Sequence, residues 1–348
     1  MLGNILGGGR TMSTKNSVSM QKIADELGIS KVTVSKALNG KDGVSNERKK
    51  LIFQTAEKYG YVLPDYGKRK SKKIGVIMSE RFNSGNEGSF YMNMYAKIVS
   101  EFRAYSYSSF MITPNVKTLE SDFKALTEPI MFDGLVFLGI IDAKVRNRFA
   151  QIDIPKVYVD IYDQTHKSDS VVTENIYSTY ELTDYLIENG HKDIGFVGTV
   201  GSTTSITDRY LGYVRRMMES QIEIKKEWTI PDRNDNGEEI EIVVPQKLPT
   251  AFVCNCDKSA FELVKSLKAQ NIKVPDEVSV VGFDNSIYAD ICEPKLTTVA
   301  VDANKIGEIT AKRIRQRMEH NEKKGGEVFR VAGRIIYRDS VKSISDKK

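Results

Sequence analysis

Three cysteines, three histidines and one tryptophan in 348 residues leave little material for several kinds of chemistry. An odd cysteine count in a chain of this size fits a reducing compartment better than a disulfide framework. Cys254 and Cys256 form a Cys-x-Cys pair, but a closed zinc site needs a second pair or clustered histidines. His166, His191 and His320 are scattered, so the thiols read as small buried side chains and no metal or other cofactor is expected. No stretch approaches the roughly 20 apolar residues of a membrane span, and no apolar segment with a small-residue cleavage site opens the chain. A cytoplasmic protein is therefore expected. A Walker lysine loop is absent, as is any clear set of nucleophile, base and orienting residue. Gly195-x-x-Gly198-x-x-Gly201 stands beside a strand without matching the dinucleotide fingerprint. It leaves a nucleotide-dependent enzyme on a doubly wound sheet as the alternative reading, and the chain is not expected to be an enzyme.

What is abundant is positive charge near the amino end. From Ser17 to Lys73 thirteen basic residues face six acidic ones, whereas the whole chain is only +5, so the remainder is net negative. That asymmetry is what binding a polyanion requires. Within it, Met20 to Leu38 spells two short amphipathic helices. Ser19 caps the first, which has apolar side chains at Met20, Ile23, Ala24 and Leu27, and Gly28 allows the turn. Ser30 caps the second, in which Val34, Ala37 and Leu38 form the buried stripe. Lys31, Val32, Thr33, Ser35 and Lys36 are left for the other face and flanks, as candidates for base and phosphate contacts. A third helix begins at Ser45, places Leu51, Ile52, Thr55, Ala56 and Tyr59 at core spacing, and stops at Gly60.

The Gly/Ser/Thr-rich start, residues 1–16, reads as a flexible leader, with Met12 or Met20 nearer the true start. Between Pro64 and Ile74 the chain runs DYGKRKSKK, a basic linker. Beyond it, short β-rich apolar runs alternate with helical periods: 74–79, 110–113, 134–138, 156–160, 194–198, 251–254 and 279–283. Such runs, apolar on both faces, predict parallel sheets with helical crossovers. Their number favours two lobes with a cleft at the strand ends. Loops at those ends offer Asn83, Ser89, Phe90, Tyr91, Ser205, Asp208, Arg209, Asp284 and Asn285. Hydroxyls, carboxylates, an amide, a guanidinium and aromatic faces are the inventory that recognises a polyol such as a sugar. Arg209 and Asp284 fit a ligand site or a structural role, as an ion pair or as helix-capping groups, equally, and Phe90 and Tyr91 fit a platform or core.

The segments IADELGISKVTVSKALNG, GYVLP, IGVIMS, IDIPKVYVD, VVTENIYSTYELTDYLIENGHKDIGFVG, DRYLGY, PTAFVCNCD, VPDEVSVVGFDN, PKLTTVAVD and GRIIYRDSV resemble the LacI family of bacterial transcription regulators, from about Met20 to Asp339. The resemblance implies an α/β chain: a three-helix helix-turn-helix joined to a two-lobed domain similar to type I periplasmic sugar-binding proteins. It also implies a homodimer on a pseudo-palindromic DNA operator, with a small-molecule effector in the cleft altering DNA affinity. Domains are expected at 17–66 (DNA binding), 67–73 (linker) and 74–348 (effector). Lobe 1 takes about 74–172 and 301–328, and lobe 2 about 173–300 and 329–340. The resemblance places Lys31, Val32 and Lys36 at base edges, with Thr33, Ser35 and Asn39 on the DNA backbone beside Ser30. In the cleft it matches Arg209, Asp284, Phe90 and Tyr91, with Ser89 and Ser205 nearby. The expected function is a repressor of carbohydrate genes.

Three departures from the family stand out. The linker has Gly67 and no leucine to wedge into the minor groove, so Lys68, Arg69, Lys70 and Lys73 are expected to track phosphates instead, with Arg69 in the groove. Residues 228–249 read as a β-hairpin or extended arm where the family has a strand and crossover helix, with Trp228 either packing or stacking. Cys256 stands where a cleft Asn is common.

Overall fold

The computed structural model describes residues 19–38, 43–61, 71–80, 87–127, 132–235, 237–320 and 325–344. It divides into two compact units, residues 1–71 and 72–348. The expected leader, and the sequence-stretch 62–70 that forms most of the linker, lie outside the described residues.

The first unit holds α1 (Met20–Glu26), α2 (Lys31–Leu38) and α3 (Asn46–Lys58). Their starts are set by side-chain caps. Ser19 accepts from the Lys22 N–H, Ser30 from Thr33 and Ser45 from Arg48. Gly28 turns the chain with φ +62°, a conformation costly for other residues. Ile23, Ala24, Val34, Ala37, Leu38, Ile52 and Ala56 form the core. Leu51 departs from expectation: it is 51% exposed, because the buried stripe of α3 runs through Ile52, Thr55 and Ala56 and leaves Leu51 a residue off that face.

The second unit contains two six-stranded sheets. The first comprises β1 (Lys73–Met78), β2 (Ser108–Ile112), β3 (Gly134–Leu138), β4 (Lys156–Val159), β5 (Asp169–Thr173) and β11 (Val328–Val331), in the order β11-β5-β4-β3-β1-β2 and wholly parallel. The second comprises β6 (Ile194–Val197), β7 (Thr229–Ile230), β8 (Ala251–Cys254), β9 (Ser279–Asp284), β10 (Thr297–Ala300) and β12 (Arg334–Ile336), in the order β12-β10-β9-β8-β6-β7. Only β12 is antiparallel to its neighbour. All seven runs expected from the sequence are strands. The central strands are fully buried because helices cover the sheet faces.

The helices are α4 (Glu87–Ala104), α5 (Leu119–Thr127), α6 (Ala143–Ala150), α7 (Asn175–Glu188), α8 (Thr204–Glu219), α9 (Asp257–Ala269), α10 (Ile287–Ile291) and α11 (Ala303–His320). One outcome corrects the sequence reading and another narrows it. Val328–Val331 pairs with Asp169–Thr173, so the chain returns to the second sheet after Val331, not at 329. The hairpin expected after Trp228 is confined to its turn: β7 pairs in parallel with β6, and among the described residues the antiparallel bridge of Arg233 to Glu239, with Asn234 N–H on the Glu238 carbonyl and Ile240 N–H on the Asp232 carbonyl, makes a short hairpin in an otherwise irregular loop. Trp228 packs, 1% exposed, with its indole N–H on the Lys247 carbonyl.

Candidate ligand cleft and nucleic-acid interface

Parallel strands deliver their carboxyl ends to one edge, and side chains that follow β4, β6, β8 and β9 meet in a cavity there. Asp160 follows β4 and Asp284 ends β9. Both hold left-handed backbone, φ +58° and +104°, a strained geometry typical of functional positions. Arg209, on α8, is 6% exposed and fixed on three sides. Its Nε donates to Asn175 (2.9 Å), its Nη1 to the Asn255 carbonyl (2.6 Å), and its Nη2 lies 3.2 Å from Asp284 Oδ1. The guanidinium also stacks on Phe283, 3.8 Å from the ring centre. Arg209 and Asp284 are therefore an ion pair and cavity-lining residues at once. Asp284 Oδ1 is buried with no aligned hydrogen bond among the described residues, so the ion pair with Arg209 is what compensates it.

Burial raises Asp284 to about 6, with Asp160 adding to the rise and Arg209 opposing it. Burial likewise raises Asp160, whose carboxylate accepts the Tyr91 hydroxyl at 2.7 Å. Tyr91 is thus core by its ring and cleft by its hydroxyl, and Phe90 meets it edge-on at 5.2 Å. Ser205 lines the cavity and bonds the α8 cap residue Thr203. Cys256 also lines it, as the N-cap of α9, with its thiol pushed up to about 12 by burial and the nearby Asp284 and Asp232. The side chain of Ser89 and all of Asn83 lie outside the described residues.

The cavity also holds residues that sequence reasoning missed: Asp160, Asn255, Arg233, Glu239, Lys258 and Tyr288. Asp160 was detectable in principle, as a carboxylate directly after a parallel strand. Arg233 and Glu239 were not, because an irregular loop brings them in. Asn255 replaces little of what Cys256 lacks, since its amide is spent on Asp232, Ser259 and the Val197 carbonyl. Among the described residues, no group of three or more potential metal ligands converges.

In the first unit, α2 buries Val34, Ala37 and Leu38 and exposes Lys31, Lys36 and Val32, the last 63% exposed. Thr33 and Ser35 are half-buried on the flanks, and the Ser30 hydroxyl is shared with Thr33 at 2.8 Å. A helix carrying two ammonium groups and an exposed branched methyl face suits a DNA groove. Asn39, Lys68 and Arg69 lie outside the described residues. No described helix is long and apolar enough to cross a membrane.

Residues 19–63 match the bacterial regulatory proteins of the lacI family, and residues 183–341 match the periplasmic binding protein-like domain. HTH-type transcriptional regulator RegA of Clostridium saccharobutylicum is 28% identical over 304 residues, 84% of this chain and 90% of its own. The fold is shared with the transcriptional regulator CelR–cellobiose complex (TM-score 0.65, 19% identity, covering 93% of this chain and 99% of that one). It is shared too with the lac repressor dimer bound to operator and the anti-inducer ONPF (TM-score 0.60, 19% identity, 94% and 100%).

A helix-turn-helix head and a two-sheet body with a polar cleft define a DNA-binding transcription regulator with a small-molecule effector domain, not an enzyme. The chain belongs to the LacI family of such regulators.

Proposed function

We propose that this protein is a cytoplasmic homodimeric repressor of carbohydrate genes, which binds a pseudo-palindromic operator and is controlled by a sugar-like effector. The reading rests on the cleft. Asp160 with Tyr91 and Asp284 with Arg209 offer acceptors and charge-assisted donors from the two sheets to one cavity, the combination that vicinal hydroxyls satisfy. The cellobiose complex of CelR and the operator-bound lac repressor dimer, which share the fold, support the ligand class and the assembly.

DNA contact falls to the 17–66 domain through Ser30, Lys31, Val32, Thr33, Ser35, Lys36 and Asn39. Lys68 and Arg69 of the 67–73 linker add phosphate contacts. Effector contact falls to Ser89, Phe90, Tyr91, Ser205, Arg209, Cys256 and Asp284. A bound effector acts on DNA affinity to the extent that it prefers one arrangement of the two lobes.

Fluorescence anisotropy on the gene's own upstream DNA, with and without a sugar panel, tests this. A sugar is expected to shift operator affinity. Asp284→Asn and Arg209→Ala are expected to weaken sugar binding by about tenfold or more, the worth of one charge-assisted hydrogen bond. Full sugar affinity in both variants contradicts the assignment.

A further inference from the structure

Charge in the cleft does not balance. Among the described residues the cations that line the cavity are Arg209, Arg233 and Lys258, and each has a carboxylate in ion-pair contact: Asp284 for Arg209 (3.2 Å), Asp232 for Arg233 (3.3 Å) and Glu239 for Lys258. Asp160 is the carboxylate left over. It lines the same cavity, 8% exposed, and among the described residues no cation lies within ion-pair distance of it. Its side chain there has one partner, the Tyr91 hydroxyl, which donates to Oδ2 at 2.7 Å. Oδ1 accepts no hydrogen bond among the described residues and is not sealed from solvent, so it opens on the cavity.

The neighbours of Asp160 deepen the imbalance. Arg209 attracts it at longer range, but Asp284 already opposes that guanidinium at contact, so one positive charge faces two carboxylates, one from each sheet. Asp208, next to Arg209 on α8, adds a third. Burial accordingly raises Asp160, the Tyr91 hydrogen bond and Arg209 hold it down, and Asp208 pushes it up again. A buried carboxyl without a counter-ion keeps its proton, and a cation delivered to it takes the place of that proton.

Resting on the reading of the cleft as a sugar site, we propose that Asp160 receives an ammonium group of the effector, which is then an amino sugar whose charge supplies the missing counter-ion. An ammonium brings three N–H donors and a full positive charge, whereas a hydroxyl brings one donor and no charge. Among the described residues no three potential metal ligands converge, so the missing charge is assigned to an organic cation and not to a metal ion. Asp160 is the specificity-determining residue in this account, and the Tyr91 hydroxyl orients it.

Calorimetric titration of the full chain at neutral pH tests the proposal with three arms: neutral aldoses, the aminodeoxy forms of the same sugars, and the N-acetyl derivatives of those amines. An amino sugar is expected to bind at least about tenfold tighter than its hydroxyl parent. Its N-acetyl derivative, which keeps an N–H but loses the charge, is expected to lose that advantage. Asp160→Asn is expected to remove the preference for the amine, because an amide carries no charge. Asn tolerates the left-handed backbone at this position, φ +58°, and its oxygen can still accept the Tyr91 hydroxyl. A hydroxyl parent that binds as tightly as its amine, an N-acetyl derivative that keeps the whole advantage, or a preference unchanged in Asp160→Asn overturns the proposal. If no member of any arm binds while the chain still holds operator DNA, the sugar reading itself falls.

Discussion

Asp257 occupies the first turn of α9, buried beneath the cleft, where its carboxylate accepts the Thr298 hydroxyl at 2.5 Å and the Ser286 N–H at 2.6 Å. Burial and the neighbouring Asp284 nonetheless raise it to about 8. The folded protein thus keeps this proton to about pH 8, while an unfolded chain releases it near pH 4. Between those values the folded state binds the extra proton, so this carboxyl subtracts stability as pH rises, with the full cost reached above pH 8. Asp257→Asn removes the titration, and the Thr298 hydroxyl can turn to suit the amide. Its unfolding free energy relative to the parent is expected to improve by at least about 1 kcal/mol between pH 5 and pH 9, as read by urea denaturation. A difference that stays constant with pH contradicts the assignment.

Single residues also show how far the site was legible. Arg209 and Asp284 stood at a helix start and a strand end, positions where a parallel sheet gathers ligand groups, and the structure brings both to the cavity. Arg233 came from a loop with no periodicity, and only folding around Thr199 carries it there.

At the scale of elements, the seven recognised strands were those with apolar side chains on both faces. β5, β7, β10, β11 and β12 escaped notice because DSVVT, TI, TTVA, VFRV and RII mix polar and apolar residues or are too short to show a pattern. β5 adds a second reason. It runs parallel to β4 without a helical crossover, and the connection is held instead by Asp163, which accepts the N–H groups of Thr165, Lys167 and Ser168.

The three helices of the head were legible from their caps, yet the register of α3 was not, because Leu51 and Ile52 compete for one inward position. Ile52 holds that position at 1% exposure. Ile52→Ala is expected to cost about 2–5 kcal/mol, a large share of the stability a unit this small can have. Calorimetry should then show a lost or lowered head transition, with the transition of residues 72–348 unchanged and operator binding weakened. Unaltered operator affinity contradicts the packing described for α3.

At the scale of the whole molecule, two units divide charge and chemistry. The head carries an excess of lysine and arginine over three short helices, and its attraction to DNA is therefore expected to weaken steeply with salt. The body spends its polar groups on a cleft lined by buried carboxylates and arginines. This division was visible in the sequence as the change from a basic helical pattern to alternating strands and helices. The lobe boundary near Val331 and the membership of the cleft depended on long-range pairing that no local pattern records.

The measurement that bears most directly on this account is operator affinity, by fluorescence anisotropy, for the full chain and for residues 72–348 alone. The account predicts specific binding by the full chain, and none by the shortened protein even though that protein still binds effector. A shortened protein that holds the operator as tightly as the full chain would contradict it.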